Sequence, residues 1–518
     1  MVEQTKSRTE YSARNAAIST AAKILSLLMG YVARIVFTHT LSEVYVGVNG
    51  LFVDILNVLS LTELGFGTAM TYALYKPIAE DDVEKQKSYM KLYAKIYHCV
   101  GFIVLLLGLC VLPFLKVIVK GYQDVPKIGI IYLMYLAGSV TSYFFVYKKT
   151  LIDAHQMKYI GVVYQNGIYV VQTIVQIALL IFTKNFFLYL IINILSTLVI
   201  NLLVSRKADK MYPYLLDKNV EPLKEGEKKK LFTDVKDLFV LKIGNIAVNN
   251  TDNILLSSFV GIVAAGLYSN YLLITEAVKG IIIQIFNAIS ASVGNLGATG
   301  DDRHIKKIFD ATFFINNWIY GLAAIILYEA VDPFVALSFG KQYVFEGYVT
   351  LIICINFYMT GMRHSMEIFK DALGLFKYDK YRAIAAALVN LIVSVVLGIK
   401  FGTFGIFLGT LISTITISLW MEPWILIKKR LNMPLGNHFL KYFLYASATF
   451  ICAVLSTLCC RKITTENLLL NCIFRGLVCL IIVDAGYFIC FFKTKEFRFV
   501  YLKGRALVEG KLKGKKTE

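Results

Sequence analysis

The amino-acid sequence predicts an all-α polytopic membrane protein with about fourteen transmembrane helices. Twelve of them form two six-helix lobes in parallel repeat around a central cavity, and two C-terminal helices follow. Three observations predict this fold class: an apolar composition, apolar windows of spanning length, and a repeat with an offset of about 219 residues. Hydrophobic residues make up 57% of the 518 residues and charged residues only 17%, far from the balance of soluble domains.

Apolar windows of about 20 residues, each long enough to cross a bilayer as a helix, recur along the chain. We place them at residues 16–38, 46–73, 97–115, 127–147, 160–182, 185–205, 238–259, 265–295, 309–329, 347–369, 383–399, 403–427, 440–459 and 468–491. The window 46–73 is the longest but one, and the run Gly65-Phe66-Gly67 favours a break within it.

The basic residues predict the orientation of these helices. With the N-terminus in the cytoplasm, about 40 of the 54 Lys and Arg fall in cytoplasmic segments, as the positive-inside rule requires. Both termini are then cytoplasmic. The net charge of +19 therefore reflects topology and attraction to anionic lipid, and nucleic acid is not expected as a partner. We expect the loop from Lys370 to Arg382 to contact the lipid surface and Arg363 to form an ordinary i,i+4 ion pair with Glu367.

Two apolar helices far apart in the chain carry polar residues at the same spacing, which indicates a duplication. The first carries Lys23, Ser26, Gly30, Arg34 and Thr38, and the second carries Lys242, Asn245, Asn249, Asn253 and Ser257. Steps of 3 and 4 residues place each set on one helix face. Gly47 pairs with Gly266 and Asp153 with Asp371 in the same series, whose offsets run from 217 to 220. Because each half contains an even number of helices, the two halves cross the membrane in the same direction.

The repeat divides the chain into five parts. These are an N-terminal lobe at 1–205, a cytoplasmic linker at 206–236, a C-terminal lobe at 237–430, the last two helices at 431–492 and a basic cytoplasmic tail at 493–518.

Ionisable side chains inside the membrane usually face a cavity or a partner, because a charge in hydrocarbon is costly. Besides the two stripes, the sequence offers Asp252 beside the second stripe, Asp54 and Glu63 in the second window, and Glu276, Lys279 and Asn287 in the eighth. We interpret these residues as the lining of a hydrated central cleft, with cations for an anionic head group and amides for hydroxyl-rich sugar. The alternative is structural pairing, of Glu276 with Lys279 or of Arg34 with Asp252. Asp54 and Glu63 lie about 180° apart on a helix, so both face one cavity only if the helix is broken.

No motif indicates an enzyme. The sequence has no Walker loop, no nucleophile elbow and no metal-ligand cluster, and none of its nine cysteines has metal-ligand spacing. We therefore expect no catalytic residue, no cofactor and no metal, and energy from an ion gradient, the membrane potential or the substrate gradient.

Several short motifs of this sequence resemble those of a known family. The motifs are Tyr45-Val-Gly-Val-Asn-Gly-Leu-Phe52, Leu61-Thr-Glu-Leu-Gly-Phe-Gly67, Leu74-Tyr-Lys-Pro77, Thr251-Asp-Asn253, Gly266-Leu-Tyr-Ser-Asn-Tyr271, Gly294-Asn295, Asp371-Ala-Leu-Gly374, Gly409-Thr410 and Trp420-Met-Glu-Pro423. Together they resemble the Wzx-type polysaccharide flippases of Gram-positive bacteria, which share a superfamily with the MATE drug exporters and the flippase MurJ.

The resemblance implies a function and a location. The protein would move oligosaccharide repeat units on undecaprenyl diphosphate from the cytoplasmic to the outer leaflet of the bacterial plasma membrane, by alternating access. The product would serve a cell-surface polysaccharide, whether a capsule, an exopolysaccharide or a teichoic-type polymer. Its partners would be that lipid-linked substrate, membrane lipids, H⁺ or Na⁺, and polysaccharide polymerase and assembly proteins.

Within this interpretation the polar residues take two roles. We expect Arg34 and Lys242, with Lys279 and Lys23 in support, to bind the diphosphate. The remaining residues would line the cavity or couple transport to an ion, and these are Asn245, Asn249, Asp252, Asn253, Glu276, Asn287, Asp54 and Glu63. Two alternatives stay open. One is a MATE-like ion-coupled antiporter of small molecules, and the other is a membrane polymerase, which the short stretch 329–347 with its single Lys341 disfavours.

Overall fold

A computed structural model describes residues 8–60, 66–217, 219–229, 231–233, 235–236, 251–299, 302–373, 375–463, 465 and 467–502. Within these ranges, side chains are described except at 8–17, 19–20, 68, 285, 287–299, 376–378 and 380. The regular elements in this part of the chain are helices, and no strand occurs among them. The chain forms two compact units, residues 1–269 and 270–518, and each is described by itself below.

Among the described residues of the first unit, nine α-helices precede the linker and another follows it. They are α1 (Arg8–Thr40), α2 (Glu43–Leu59), α3 (Phe66–Ala79), α4 (Val83–Val111), α5 (Leu115–Ile118), α6 (Ile128–Tyr143), α7 (Tyr147–Ala154), α8 (Lys158–Thr183), α9 (Phe186–Met211) and α10 (Thr251–Leu255). Helix α10 continues into a π-helical turn, Leu256–Val260, and α11 (Ile262–Thr299) begins two residues later.

The second unit contains the rest of α11 and six further helices. They are α12 (Asp302–Ser338), α13 (Gly347–Ala372), α14 (Phe376–Ser413), α15 (Leu419–Pro423), α16 (Gly436–Cys460) and α17 (Leu468–Phe491). Two π-helical stretches, Thr414–Ser418 and Trp424–Arg430, flank α15.

The fold class predicted from the sequence is confirmed, because each predicted window overlaps one or more described helices. Among the described residues, eight helical stretches are long and apolar enough to cross a membrane, or nine if the bent pair α6 and α7 counts as one span. The count of fourteen and the five sequence divisions stay predictions. One window needs correction: residues 46–73 do not form one helix, because α2 ends at Leu59 and α3 begins at Phe66. Glu63 lies between them, outside the described residues.

Side-chain caps begin several of these helices where the chain re-enters an apolar stretch. The Asn185 side chain accepts hydrogen bonds from the backbone N–H groups of Phe187 and Leu188 at the start of α9. The Asn467 side chain does the same at the start of α17. The first N–H groups of a helix have no intrahelical acceptor, so such caps remove a cost that would be severe near lipid.

Helix α14 contains a chain reversal that divides it into an antiparallel pair. At Gly402, φ is +58° and ψ is −135°, a combination that only glycine adopts without strain. Past the reversal, Ser394 Oγ donates to the Ile406 carbonyl at 3.0 Å and Asn390 Nδ2 donates to Thr410 Oγ1 at 2.9 Å. A Cβ on Gly409 would lie 2.6 Å from Ser394 Cα. The two arms therefore pack backbone to backbone, and they match the separate windows 383–399 and 403–427.

The last two helices pack against α12 through hydrogen bonds within an apolar interface. Asn317 Nδ2 donates to Tyr487 Oη at 2.9 Å, and Trp318 Nε1 donates to Asp484 Oδ1 at 2.8 Å. The Thr449 and Tyr487 hydroxyl groups are 2.6 Å apart. Polar pairs of this kind hold helices together where the hydrophobic effect gives no net preference for helix over lipid.

The linker after α9 docks onto the first turns of α4 in the same unit. Ser88 Oγ donates to the Glu221 carbonyl at 2.6 Å, and the Lys87 ammonium lies 2.6 Å from the Asp217 carboxylate. Tyr214 Oη donates to Gln86 Oε1 at 2.6 Å. This charged segment is therefore attached to the N-terminal half of the chain through both side chains and backbone.

Candidate functional site around α2 and residues 251–269

Several residues that the sequence singled out lie outside the part of the chain that the structure describes. These are Lys242, Asn245, Asn249 and Glu63, and the side chain of Asn287 is also outside it. The roles of these five residues stay predictions. The remaining candidates fall at three places: on α1, at the contact of α2 with residues 251–269, and on α11.

On α1, Arg34 is half-buried and lies within electrostatic reach of the hydroxyl groups of Tyr135 on α6 and Tyr189 on α9. The Tyr189 ring also packs edge-on against Phe37, with ring centroids 5.3 Å apart. The guanidinium thus lies near two phenol groups on other helices of the first unit. A guanidinium in this setting retains its charge and its fork of donors, which suits binding of a phosphate.

The rest of the α1 stripe faces α8 or the surface. Ser26 Oγ donates to Asn166 Oδ1 on α8 at 2.5 Å, and a Cβ on Gly30 would lie 3.2 Å from Tyr169 Oη. Lys23 is exposed. Of the two cations on this stripe, Arg34 is therefore the less exposed.

Helix α2 crosses the start of α11 at two glycines, Gly47 and Gly266, which the repeat pairs at an offset of 219. A Cβ on Gly266 would lie 2.9 Å from Gly47 N and 3.0 Å from the Glu43 carbonyl oxygen. A Cβ on Gly47 would overlap the Ile262 carbonyl group. The backbones are in direct contact, so even one methyl group at either glycine would separate them.

The same contact continues along α2 toward a buried polar pair. A Cβ on Gly50 would lie 3.4 Å from Ser269 Cβ. One turn further on, Asn253 Nδ2 on α10 donates to Asp54 Oδ2 at 2.5 Å. Asp54 is 9% exposed and Asn253 only 4% exposed. Within the described part of the chain, Asn253 Oδ1 has no hydrogen-bond partner.

A backbone connection fixes the other side of this segment. The N–H of Lys120 donates to the Ser257 carbonyl at 3.1 Å, and the N–H of Ile262 donates to the Lys120 carbonyl at 3.3 Å. Ser258 Oγ donates to the Ile118 carbonyl at 3.0 Å. Residues 251–269 are thus held between α2 and the turn after α5. We call this arrangement the α2 crossing: α2, residues 118–121 and residues 251–269.

On α11, Lys279 and Glu276 form an ion pair with 3.0 Å between Nζ and Oε1. This is the structural pairing that the sequence left open as the alternative to cavity lining. Asp252, next to Asn253, is buried, and it has an interaction partner of its own.

Among the described residues of the second unit, the most deeply buried charged side chains form a network that the sequence did not predict. Glu422 on α15 is 1% exposed and accepts a hydrogen bond from Arg363 Nη2 at 2.7 Å. Lys370 Nζ lies 3.3 Å from Glu422 and 2.7 Å from Asp379, and Arg382 Nε donates to Asp379 at 2.6 Å. These five side chains link α13, α14 and α15.

This network corrects two expectations. Lys370 and Arg382 do not contact the lipid surface, because both are almost fully buried. Arg363 pairs with Glu367 at 3.3 Å as expected, but its closer carboxylate is Glu422, 59 residues away. The sequence offered no signal for that long-range pair beyond a charge within the apolar window 403–427.

The fold and these buried polar groups are those of a helical membrane protein, and comparison with known proteins gives its family. The family model described as "Polysaccharide biosynthesis protein" matches residues 12–290. The chain therefore belongs to the polysaccharide biosynthesis protein family. A search of curated proteins finds no significant match.

Solved structures show which fold this is. The lipid II flippase MurJ, in an inward closed conformation, is similar with a TM-score of 0.61 at 14% identity, over 91% of this chain and 98% of MurJ. An inward-facing multidrug MATE transporter of the MOP superfamily gives 0.61 at 14% identity, over 78% and 96%. A MOP superfamily transporter from Pyrococcus furiosus, with reversed polarity of its binding pocket, gives 0.54 at 14%, over 82% and 97%. The chain thus shares the fold of these three solved structures.

Proposed function

We propose that this protein is a flippase of the plasma membrane that moves undecaprenyl-diphosphate-linked oligosaccharides from the cytoplasmic to the outer leaflet. The product serves cell-surface polysaccharide such as capsule or exopolysaccharide. One observation carries the proposal: Arg34 lies on an apolar helix, within electrostatic reach of Tyr135 and Tyr189, in a chain from the polysaccharide biosynthesis protein family.

The chemistry of the substrate explains why such a residue is needed. A diphosphate with attached sugars cannot cross hydrocarbon unaided, because its charges and hydroxyl groups would lose their water. A guanidinium replaces part of that water with charge-assisted hydrogen bonds. Lys242 and Lys23 act with Arg34 on the diphosphate, and Lys279 acts when it is released from Glu276. The amides of Asn245, Asn249, Asn253 and Asn287 contact the sugars, while the polyprenyl tail stays in lipid.

Two kinds of energy can drive this movement. In a cell that is negative inside, outward transfer of an anion is favoured by about 2.3 kcal/mol per charge for each 100 mV. Coupling to H⁺ or Na⁺ through Asp54, Asp252, Glu276 or Glu63 adds to this. Alternating access with both termini in the cytoplasm exposes the binding residues to each leaflet in turn.

The test is transfer of a labelled undecaprenyl-diphosphate oligosaccharide between leaflets of proteoliposomes that contain the purified protein. Arg34→Ala and Arg34→Lys are compared with Lys400→Ala, which removes an exposed cation of α14. We expect Arg34→Ala to abolish transfer, Arg34→Lys to retain part of it, and Lys400→Ala to match the parent protein. Transfer at the parent rate by correctly inserted Arg34→Ala would show that Arg34 does not bind the diphosphate.

The second candidate is an ion-coupled antiporter of small molecules, which the fold also permits. The buried carboxylates Asp54 and Asp252 favour it, since they would suit a cationic substrate. The same proteoliposomes decide between the two functions. Exchange of a small cation for H⁺ or Na⁺, without transfer of any lipid in a panel of lipid-linked oligosaccharides, would establish the antiporter.

A further inference from the structure

Asp54 and Asn253 form the most buried carboxylate–amide contact of the α2 crossing. Their separation of 2.5 Å joins α2 to α10, and both side chains are more than nine-tenths buried. The described hydrogen-bonding partners of the Asp54 carboxylate are amides, from Asn253 and Asn57. Amides stabilise a buried charge much less than a cation does.

Among the described residues, the side-chain oxygen of Asn253 lacks a hydrogen-bond donor. This indicates which protonation state of Asp54 would satisfy the hydrogen-bonding groups of both side chains. An ionised Asp54 accepts from Asn253 Nδ2 and leaves Asn253 Oδ1 without a donor, as the described residues show. A protonated Asp54 carries an O–H that can donate to Asn253 Oδ1 while its other oxygen still accepts from Nδ2. The neutral pair thus makes two hydrogen bonds and buries no net charge, whereas the ionised pair makes one, buries a charge and leaves an acceptor unsatisfied.

We propose that Asp54 and Asn253 form a proton-binding site whose occupation stabilises the packed α2 crossing. When the proton leaves, the charge on Asp54 requires water, and α2 separates from residues 251–269 to admit it. The glycine contacts make the packed and separated states distinct, because Gly47 and Gly266 have no side chains that could follow a small displacement and keep the gap filled. The proposal rests on the proposed function and deepens it by naming H⁺ as the coupling ion.

Other titratable groups near α2 belong to the elements packed against it. Tyr132 and Tyr135 on α6 contact Phe52 of α2, and Arg34 acts electrostatically on Tyr135. Asp252 lies beside Asn253, and α4 contributes the buried Tyr97. Substitution separates these five groups from the proton site: variants of Asp54 and Asn253 should alter the response of the crossing to pH, and variants of the five should not.

The experiment measures packing of the crossing directly and requires no substrate. Cysteines at Gly50 and Ser269 would form a disulfide when the crossing is packed, because the Cβ positions are 3.4 Å apart, close to disulfide geometry. The exposed native cysteines Cys99, Cys110, Cys459 and Cys490 are first replaced by serine. Cross-linking is measured from acid to alkaline pH in the Asp54 protein and in Asp54→Asn. The ratio of the two at each pH cancels the pH dependence of the thiol chemistry.

Asp54→Asn mimics the protonated state, since its amide can make both hydrogen bonds to Asn253 at any pH. We expect the cross-linked fraction of the Asp54 protein, relative to Asp54→Asn, to fall as pH rises. A single linked proton changes the packed-to-separated ratio by at most about tenfold per pH unit. A ratio independent of pH overturns the proposal, and so does a ratio set by Na⁺ concentration at fixed pH.

Two further variants keep the test decisive if Asp54→Asn fails to fold. Asn253→Leu removes both hydrogen bonds but leaves Asp54 able to ionise, so cross-linking should fall below that of the Asp54 protein at acid pH, where the neutral pair would otherwise form. Ser258→Ala removes the bond to the Ile118 carbonyl without touching the proton site, so it should lower cross-linking equally at every pH. Cross-linking of Asn253→Leu at the level of the Asp54 protein at acid pH contradicts the proposal. If the response is present but no lipid-linked oligosaccharide is transferred, the proposed function fails and the proton site stands.

Discussion

Three cationic side chains share the buried carboxylate of Glu422. Arg363, Lys370 and Arg382 lie 2.7, 3.3 and 3.3 Å from it. Replacing Glu422 by Gln leaves those charges with too few partners, and breaking a buried pair in this way typically costs about 3–5 kcal/mol. We expect a large fall in the thermal unfolding midpoint of the protein in detergent.

The matched control is an ion pair at the surface. Lys76 and Glu80 lie 3.7 Å apart with side chains 77% and 55% exposed, so Glu80→Gln should change stability by less than about 1 kcal/mol. Equal stability of Glu422→Gln and Glu80→Gln would show that the network around Glu422 is not tightly packed.

Substitution of Gly266 tests whether the backbone contact of the two glycines controls the α2 crossing. The Cβ of Gly266→Ala would lie 2.9 Å from Gly47 N, which the backbone can accommodate only by moving apart. We expect this variant to reduce the Gly50–Ser269 cross-link at every pH. Gly280→Ala on the same helix has open space around its Cβ and should leave the cross-link unchanged. Cross-linking of Gly266→Ala at the level of Gly280→Ala would show that the glycine contact does not control the crossing.

At the scale of elements, helix α14 depends on its reversal at Gly402. A Cβ there meets no atom within 4 Å, so Gly402→Ala changes backbone strain without changing packing. Residues held in such a conformation cost about 1–3 kcal/mol. We expect a corresponding loss of stability, measured by chemical unfolding in micelles. Gly167→Ala, in the interior of α8 and also without near neighbours, should instead be neutral or slightly stabilising.

Elements also show how far the sequence can be interpreted. The positions of the helices follow from hydropathy, because each apolar window must be helical to satisfy its backbone in lipid. The break in the window 46–73 was indicated by glycine. The contacts of Arg363 and Lys370 with Glu422 were not, since periodicity reports the face of a residue on its own helix and not its partner on another. For the same reason the sequence named Asp54 and Asn253 separately but could not place them in contact.

The duplication predicted from the sequence pairs two glycines that are in contact at the α2 crossing. The stripe helices and Gly47 with Gly266 share one offset, and the structure brings these two glycines together. Equivalent positions of two repeats meet only near the axis that relates them. The duplication predicted from the sequence would therefore place the crossing near that axis, where a proton site is well placed to control access.

The proton site and the substrate charge together predict how transport responds to membrane potential. An anion leaving and a proton entering both carry current in the direction that a negative interior favours, so each charge adds about 2.3 kcal/mol per 100 mV. In proteoliposomes with imposed potassium potentials, we expect the steady-state outer-to-inner ratio of labelled lipid to rise with interior-negative potential. Asp54→Asn should show a shallower rise, because its cycle no longer carries the proton. An equally steep rise in both proteins would mean that Asp54 controls the crossing without coupling it to proton entry.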